Sequence, residues 1–319
     1  MKITVIGGTG HIGTYLIPRL VQAKHKINVV CRGRQKPYFN NPAWEQVNFV
    51  NIDRSSSEAE NKFGNQIKEL ESDVIIDLIC FTPASCRQLV DAVRGKIQLL
   101  IHCGTIWVHG SSVTLPNREA DPRFPLDDYG KNKDAIEKYL LRQTRQYNFP
   151  AAVFHPGHIV GNGWLPLNPA GNFNPVVYEI IAAGKELLLP HFGMETFHHV
   201  HADDLARIIM HMLAYQNNAC GEAFHCTSPA ALTASGYASL LYEYYNRQPR
   251  IKTVSWEDWK KQSWLTEQDI NISWLHIARS NNCSMNKAQN LLHFTPRVDS
   301  IEAVTTSLTW LQEKGKLKL

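Results

Sequence analysis

The sequence has 319 residues, of which 44% are hydrophobic and 19% charged, and a formal net charge of +4. This composition is typical of a globular protein with a sizeable core and excludes a disordered or fibrous chain. The slight positive charge makes nucleic-acid binding an unlikely main role, and no run approaches the roughly 18 apolar residues of a membrane span. The apolar run within Met1–Gly8 is too short for a secretory signal, and the seven cysteines form no CxxC pair. We therefore expect a reduced, cytoplasmic protein.

The first half of the chain alternates short apolar runs with amphipathic stretches. Runs rich in Val and Ile predict buried strands at Lys2–Ile6, Lys26–Cys31, Asn48–Ile52, Asp73–Ile79, Gln98–His102 and Ala151–His155. Helices are predicted near 11–24, 57–71, 83–94 and 128–147. This order predicts an α/β fold with a Rossmann doubly wound parallel sheet.

The character of the sequence changes after about residue 160. The stretch Gly161–Pro175 is dense in Gly, Asn and Pro, and four tryptophans lie between Trp256 and Trp274. We expect residues 161–196 and 229–319 to form a smaller C-terminal substrate-binding domain. Phe197–Leu213 again resembles a strand followed by a helix, so residues 1–160 and about 197–228 are assigned to the dinucleotide-binding domain.

Three glycines follow the first predicted strand directly. Gly7, Gly10 and Gly13 have the GxxGxxG spacing, in which glycines permit a tight turn, close approach of a pyrophosphate and close helix packing. The N-terminus of the following helix supplies unpaired N–H groups and partial positive charge. A glycine-rich turn without a ligand is the alternative. The predicted cofactor contacts also include the intervening Thr9, His11 and Ile12.

The second predicted strand ends in Cys-Arg-Gly-Arg at positions 31–34. Sites for NAD commonly carry an acid about 20 residues past the glycines to hold the ribose 2′-hydroxyl. Arg32 occupies this position, and Arg32 and Arg34 are suited to a 2′-phosphate, so we expect NADP, with NAD as the alternative. Two solvated surface arginines are the simpler interpretation. Asp53, after the third strand, is placed to meet the adenine amino group.

Tyr129 and Lys133 lie four residues apart at the start of a predicted helix and therefore share one face. A phenol has a pKa near 10, and a nearby ammonium lowers this pKa, so such a tyrosine can exchange a proton with a substrate hydroxyl. The YxxxK pattern alone also occurs on ordinary surface helices. Thr105, after the fifth predicted strand, supplies a hydroxyl for the substrate oxygen, although a simple turn threonine is the alternative. Lys133 is counted as both a catalytic and a cofactor-binding residue.

The order of these motifs resembles the extended short-chain dehydrogenases, the NAD-dependent epimerase/dehydratase family. The resemblance rests on the glycine turn, Thr105, Tyr129 with Lys133, and the segment His155–Gly161. It implies that Thr105 is the hydroxyl partner, Tyr129 the acid/base, and Lys133 the modifier of its pKa and a nicotinamide-ribose contact. It also implies that three residues lie beside the nicotinamide: Pro156, Gly157 and His158. The resemblance is strong to about residue 228 and weaker to Ser284–Pro296.

Several departures from the family pattern narrow the expected chemistry. Ile106 and Trp107 follow Thr105 where dehydratases carry Asp-Glu, which argues against water elimination. His109 replaces the usual tyrosine and His155 the usual arginine, and a late Arg-x-Gly-Asp motif is absent. The expected activity is therefore an NAD(P)-dependent oxidoreductase or epimerase acting on a sugar-like or nucleotide-sugar substrate. A homodimer remains open.

Two other functions compete with this expectation. The Cys-Arg-Gly-Arg segment and the strand Asp73–Asp77 also look like the chloroplast stem-loop-binding branch, whose members contact RNA, so a binding protein without turnover is the alternative function. His199 and His201 share a strand face as potential zinc ligands. They lack a positioned third ligand, since Asp203 or Asp204 is expected to cap the next helix, so we expect no metal site.

Overall fold

The computed structural model describes residues 1–33 and 36–318. Arg34, one of the predicted cofactor contacts, lies outside these residues. The thirteen strands of this part of the chain are β1 (Lys2–Ile6), β2 (Lys26–Cys31), β3 (Asn48–Asn51), β4 (Val74–Asp77), β5 (Leu99–Cys103), β6 (Ala151–Pro156), β7 (His158–Val160), β8 (Leu187–Pro190), β9 (Thr196–Phe197), β10 (His199–His201), β11 (Ala223–Cys226), β12 (Leu232–Thr233) and β13 (Ile251–Val254).

The helices surround and extend the sheet. They are α1 (His11–Gln22), α2 (Arg54–Ala59), α3 (Phe63–Lys68), α4 (Pro83–Val93), α5 (Asp128–Tyr147), α6 (Val176–Ala182), α7 (Ala202–Ala214), α8 (Gln216–Ala219), α9 (Ala234–Tyr244), α10 (Trp256–Trp259), α11 (Glu267–Arg279), α12 (Asn286–Leu292) and α13 (Ser300–Glu313). Short 3-10 helices at Pro42–Gln46 and Ile106–His109 complete the regular structure of the described residues.

Seven parallel strands form the main sheet, in the order β11-β6-β5-β4-β1-β2-β3. The chain reverses its direction of travel across the sheet between β1 and β4, and ligands of such sheets bind at the carboxyl ends of the strands beside this reversal. The predicted Rossmann fold is confirmed. The strands β1, β4, β5 and β6 are almost wholly buried, as their continuous apolar sequences require.

Apolar side chains form three clusters. Two lie on opposite faces of the sheet, and helix α7 packs with α1 on one of these faces. The third cluster is made almost entirely by residues after 160, including Val177, Leu241, Trp259 and Leu308. No helix among the described residues is long and apolar enough to cross a membrane.

Two parts of the predicted secondary structure were wrong. The single helix expected over 57–71 is two helices, α2 and α3, because Asn61 adopts a left-handed conformation with φ of 55° and interrupts the helical hydrogen bonding. Strand β11 was not predicted from the sequence. Its four residues are too few to show the alternation of apolar and polar residues that identifies a strand.

Candidate active site

The glycine turn joins β1 to α1 at the reversal point of the sheet. Gly7 has a φ of +80°, which favours glycine, and a Cβ at Gly13 would lie 1.8 Å from the carbonyl oxygen of Gly8. A Cβ at Gly10 would meet only the Gly7 carbonyl oxygen at 3.5 Å. Gly7 and Gly13 are therefore required by the fold, whereas the space beside Gly10 is left open on the side of the cleft.

The N-terminus of α1 faces this space without a side-chain cap, so its first N–H groups have no partner within the helix. Ile12 and His11 line the adjoining cavity, and Thr9 lines the neighbouring one. The His11 ring lies 3.8 Å from that of Trp164 and 4.3 Å from that of Tyr38. Burial lowers the pKa of His11 to about 4, partly opposed by a hydrogen bond with the backbone of Gly163. An uncharged His11 therefore holds the turn against the loop after β7.

A cavity of about 680 Å³ lies beside the ends of β1, β2 and β3 and includes Gly10, Arg32 and Asp53 among its lining residues. Asp53 caps α2, because its Oδ1 accepts hydrogen bonds from the backbone of Ser55 at 3.0 Å and of Ser56 at 3.4 Å. Arg32 is exposed and makes no hydrogen bond or ion pair with another described residue. Its guanidinium is thus available to a ligand.

Arg54 lines the same cavity and was not singled out from the sequence. Its guanidinium lies 2.7 Å from Asp77 Oδ1 and 2.6 Å from Glu58 Oε1. Burial alone would lower the pKa of Arg54, but the Asp77 carboxylate and the other contacts raise it overall. The charge of Arg54 is therefore already balanced within the protein, in contrast to that of Arg32.

Tyr129 and Lys133 project from the first turns of α5, which begins after Asp127 because this side chain accepts a hydrogen bond from Gly130 N at 2.9 Å. Lys133 is 1% exposed, and its Nζ donates hydrogen bonds to the carbonyl oxygens of Cys103 at 2.6 Å and Cys80 at 2.8 Å. An ammonium has three donors, so one remains for a ligand. Both residues line a cavity of about 260 Å³ that also includes Gly7, Gly10 and Pro156.

The pKa of Tyr129 is shifted in the direction opposite to the sequence-based expectation. Burial raises this pKa, and a side-chain hydrogen bond with Thr105 only partly opposes the rise. Lys133 does not reverse the shift, because its Nζ lies 5.8 Å from the centroid of the Tyr129 ring and is directed to two carbonyl oxygens. In this structure Tyr129 is therefore a phenol that can donate a proton, and not a phenolate.

Thr105 lies two residues after β5, and a chain of buried contacts connects it to α5. Its backbone N–H donates to His155 Nδ1 at 2.9 Å, and His155 Nε2 lies 2.6 Å from Glu137 Oε2. Glu137 stands on the same helical face as Tyr129 and Lys133, four residues beyond the lysine. Burial alone would raise the pKa of Glu137, but its contacts with His155 and Arg123 hold that pKa well below its usual value. These contacts fix Thr105 relative to the helix that carries Tyr129.

A further cavity of about 360 Å³ opens on the other side of Tyr129. It is lined by Thr105, Ile106, Trp107, Tyr129, Pro156, Gly157, His158, Ile159, Trp164, Leu167, Phe173, Ile272 and His276. A Cβ at Gly157 would lie 2.4 Å from the carbonyl oxygen of His198, so the strand end beside this cavity requires glycine. The cavities of about 680 and 260 Å³ share the lining residues Gly7 and Gly10. The cavities of about 260 and 360 Å³ share Tyr129 and Pro156. The three cavities form one cleft with Tyr129 at an internal junction.

The histidines considered for zinc have other contacts. His201 Nδ1 accepts a hydrogen bond from Asp203 N at 3.1 Å, so His201 itself caps α7. The expectation that Asp203 or Asp204 would cap this helix was wrong. Asp203 pairs with Arg19 at 2.6 Å, and Asp204 accepts hydrogen bonds from the backbone of Arg297.

A different group of possible metal ligands was missed in the sequence. His109, His225 and Cys283 are buried with their ligand atoms within 4.8 Å of one another. The two Nε2 atoms lie 2.7 Å apart, which is a hydrogen-bond distance, and His225 Nδ1 lies 3.1 Å from the carbonyl oxygen of Ser284. A hydrogen-bonded histidine pair accounts for this geometry, which gives the cluster a structural role. The three residues are more than 50 positions apart in the sequence, so no local spacing pattern predicts this cluster.

The fold and cleft are those of a Rossmann-type dinucleotide-binding protein. Residues 3–226 match the model of the NAD dependent epimerase/dehydratase family. The chain belongs to this family, as the motifs predicted, and is therefore an enzyme.

Three similar proteins illustrate the range of this family. The chain is 24% identical over 96% of its length to the chloroplast stem-loop binding protein of 41 kDa b of Arabidopsis thaliana, of which 78% is covered. It is 24% identical over 72% of its length to the 2'-dehydrokanamycin reductase of Streptomyces kanamyceticus, of which 62% is covered. The structure of the dTDP-glucose 4,6-dehydratase of Bacillus anthracis in complex with NAD has a TM-score of 0.74 and 18% identity, with 99% of this chain and 98% of that one covered.

Proposed function

We propose that this chain is an NADP-dependent oxidoreductase that moves a hydride between the cofactor and a secondary alcohol or ketone of a sugar-like substrate. An epimerase that returns the hydride to the opposite face would use the same groups. The observation that carries this proposal is the position of Tyr129 at the junction between the cavity of Lys133 and Gly10 and the cavity of Thr105 and Trp107. We assign residues 1–160 and about 197–228 to the dinucleotide-binding domain and residues of about 161–196 and 229–319 to the substrate domain.

The glycine turn, Arg32 and Asp53 line the part of the cleft that fits an adenine nucleotide. The uncapped start of α1 offers N–H groups to a pyrophosphate. Arg32 offers an unneutralised guanidinium to a 2′-phosphate, which guanidinium groups bind through paired hydrogen bonds. This is the basis for NADP over NAD.

Thr105, Tyr129 and Lys133 would each have a separate role in the reaction. When bound, the nicotinamide supplies or accepts the hydride. Thr105 and Tyr129 would hold the substrate oxygen, and the Tyr129 hydroxyl would donate the proton in reduction or accept it in oxidation. Lys133 would direct its third N–H to the nicotinamide ribose, with Pro156, Gly157 and His158 beside the ring. General acid–base catalysis of this kind contributes roughly 10²–10⁴-fold.

The proposal is tested first by the nucleotide itself. We expect NADP or NADPH to be released when the purified protein is denatured, or to bind the nucleotide-free protein by calorimetry. With NADPH deuterated at the transferred position, the alcohol formed by reduction of a ketone substrate should then carry deuterium on its carbinol carbon, detected by mass spectrometry. Absence of binding for both NAD and NADP would contradict the proposal.

A second candidate is binding of structured RNA without turnover. The similarity to the chloroplast stem-loop binding protein over 96% of the chain favours it, although Tyr129, Lys133 and Thr105 lining one cleft have no evident use in a pure binder. Filter binding of an RNA stem-loop at increasing salt tests this candidate. Salt-sensitive binding together with no deuterium transfer to any ketone would support it over the oxidoreductase.

A further inference from the structure

The cavity beside Tyr129 is lined without formal charge. Its thirteen described lining residues include no Lys, Arg, Asp or Glu. The rings of Trp107 and Phe173 flank His276, with ring centroids 5.0 and 5.9 Å from that histidine. Together with Leu167 and Ile272, these rings form a wall that is mainly apolar and aromatic.

The two histidines of this wall are also uncharged near neutral pH. Burial lowers the pKa of His276 to about 4, and its Nδ1 already lies 2.8 Å from the carbonyl oxygen of Ile272. Burial, with the neighbouring His276, likewise lowers the pKa of His158 well below its ordinary value. The His158 ring makes no hydrogen bond with the described residues, so it offers one neutral polar contact to a ligand.

Arg279, which stacks on Trp107, does not compensate for this lack of charge. Arg279 lies 3.7 Å from the centroid of the Trp107 ring, but it is 1% exposed and is not part of the cavity lining. Its guanidinium pairs with Asp127 at 3.0 Å. The N-terminus of α5 is occupied in the same way, because Asp127 caps it and Asp128 stands in its first turn. A phosphate in this cavity would meet neither a free cation nor a free helix N-terminus.

Burial of an anion without a counter-charge or sufficient hydrogen bonds costs several kcal/mol. A volume of about 360 Å³ is also at the lower end of the range for small-molecule pockets. We propose that the substrate is a small, uncharged ring alcohol or ketone without a phosphate, held with an apolar face against Trp107 and Phe173 and with its reacting oxygen at Thr105 and Tyr129. This inference rests on the proposed oxidoreductase function and replaces a nucleotide sugar with a neutral ring.

The test measures binding separately from turnover. The full chain, saturated with NADP⁺, is titrated by calorimetry with α-tetralone, with methyl α-glucopyranoside and with UDP-glucose. We expect a neutral ring to bind and UDP-glucose not to bind; the first two ligands distinguish an aromatic ring from a sugar. Phe173→Ala should weaken the neutral ring by about tenfold, because the ring loses part of its apolar contact. Phe192→Ala is the matched control, since Phe192 is 82% exposed and lies outside the cleft lining.

Tighter binding of UDP-glucose than of both neutral rings would overturn the inference, as would binding of neither ring or an equal effect of the two phenylalanine variants. The proposed oxidoreductase function is tested separately, by deuterium transfer from labelled NADPH. Deuterium transfer to a nucleotide sugar would leave the oxidoreductase intact and overturn the substrate class. Binding of a neutral ring that depends on Phe173, without deuterium transfer to any compound, would support the substrate class and contradict the oxidoreductase.

Discussion

The two ends of the cleft differ in charge and in how the chain assembles them. The end beside Arg32 is charged and is built mainly from the ends of β1, β2 and β3 within the first 60 residues, together with the segment Ile79–Ser85 that follows β4. The end beside Trp107 is uncharged and combines the loop after β5, the loop after β7 and helix α11. The first arrangement suits a charged dinucleotide and the second a neutral ring. The proposed cofactor site is thus encoded largely by a local motif, whereas the proposed substrate site is assembled from segments that are far apart in the sequence.

Tyr129→Phe should give the largest effect, because it removes the proton at the junction of the two ends and keeps the ring. We expect turnover to fall by about 10²–10⁴-fold, measured as the rate of deuterium transfer from NADPH. Affinity for NADPH should stay near that of the unmodified protein. Near-normal turnover in this variant would show that another group donates the proton.

Gly10→Val tests the charged end alone. A Cβ at Gly10 meets no close neighbour, so the chain should fold, but the branched side chain would occupy the space predicted for the pyrophosphate. Loss of two or more hydrogen bonds to charged groups should weaken both NAD and NADP by more than about hundredfold in calorimetry. Gly13→Ala is the contrasting variant, since its Cβ would collide with Gly8 and should lower the thermal stability instead. Unchanged cofactor affinity in Gly10→Val would place the pyrophosphate elsewhere.

Acid should destabilise the fold through its buried histidines, of which His276 lines the uncharged end. Burial lowers the pKa of His198 and His276 to about 4 and that of His199 to about 3. Between about pH 6.5 and about pH 4 the unfolded chain therefore binds more protons than the folded one, so stability is present above this window and is lost as the pH falls. Each histidine adds a slope of about 1.4 kcal/mol per pH unit to the free energy of unfolding.

Urea unfolding at several pH values measures this slope. His199→Asn should make the slope shallower than that of the unmodified protein. An unchanged slope in this variant would mean that His199 is not held uncharged in the folded chain.

Arg32→Asp should have the smallest effect and bears on the choice of cofactor. The guanidinium of Arg32 is without an ion pair in the described structure, so its loss should weaken NADP by at least about tenfold and leave NAD nearly unchanged. The new carboxylate would also repel the 2′-phosphate and accept hydrogen bonds from a ribose diol. Arg32→Gln, which removes only the charge, separates these two contributions. A protein that prefers NAD, with a ratio unmoved by Arg32→Asp, would show that Arg32 points into solvent.

The sequence predicted the parts of this molecule that are encoded locally. The parallel sheet followed from apolar strand runs, and the glycine turn from its spacing after β1. Tyr129 and Lys133 could be paired because a helix brings residues four apart onto one face. The direction of the Tyr129 pKa was not predictable, since it depends on burial and on the carbonyl oxygens that engage Lys133. The neutralisation of Arg54 by Asp77 and the wall of Trp107 and Phe173 arise only from tertiary packing.

The link from Glu137 through His155 to Thr105 also bears on how this region opens in solution. The amide proton of Thr105 is donated to a buried imidazole of β6 that α5 in turn contacts, so its release requires the loop after β5 to move away from β6. Exchange of this amide with deuterated water therefore reports a local opening at this loop. The amide of Thr105 should thus be protected more strongly than that of an exposed loop residue, although Thr105 lines a cleft.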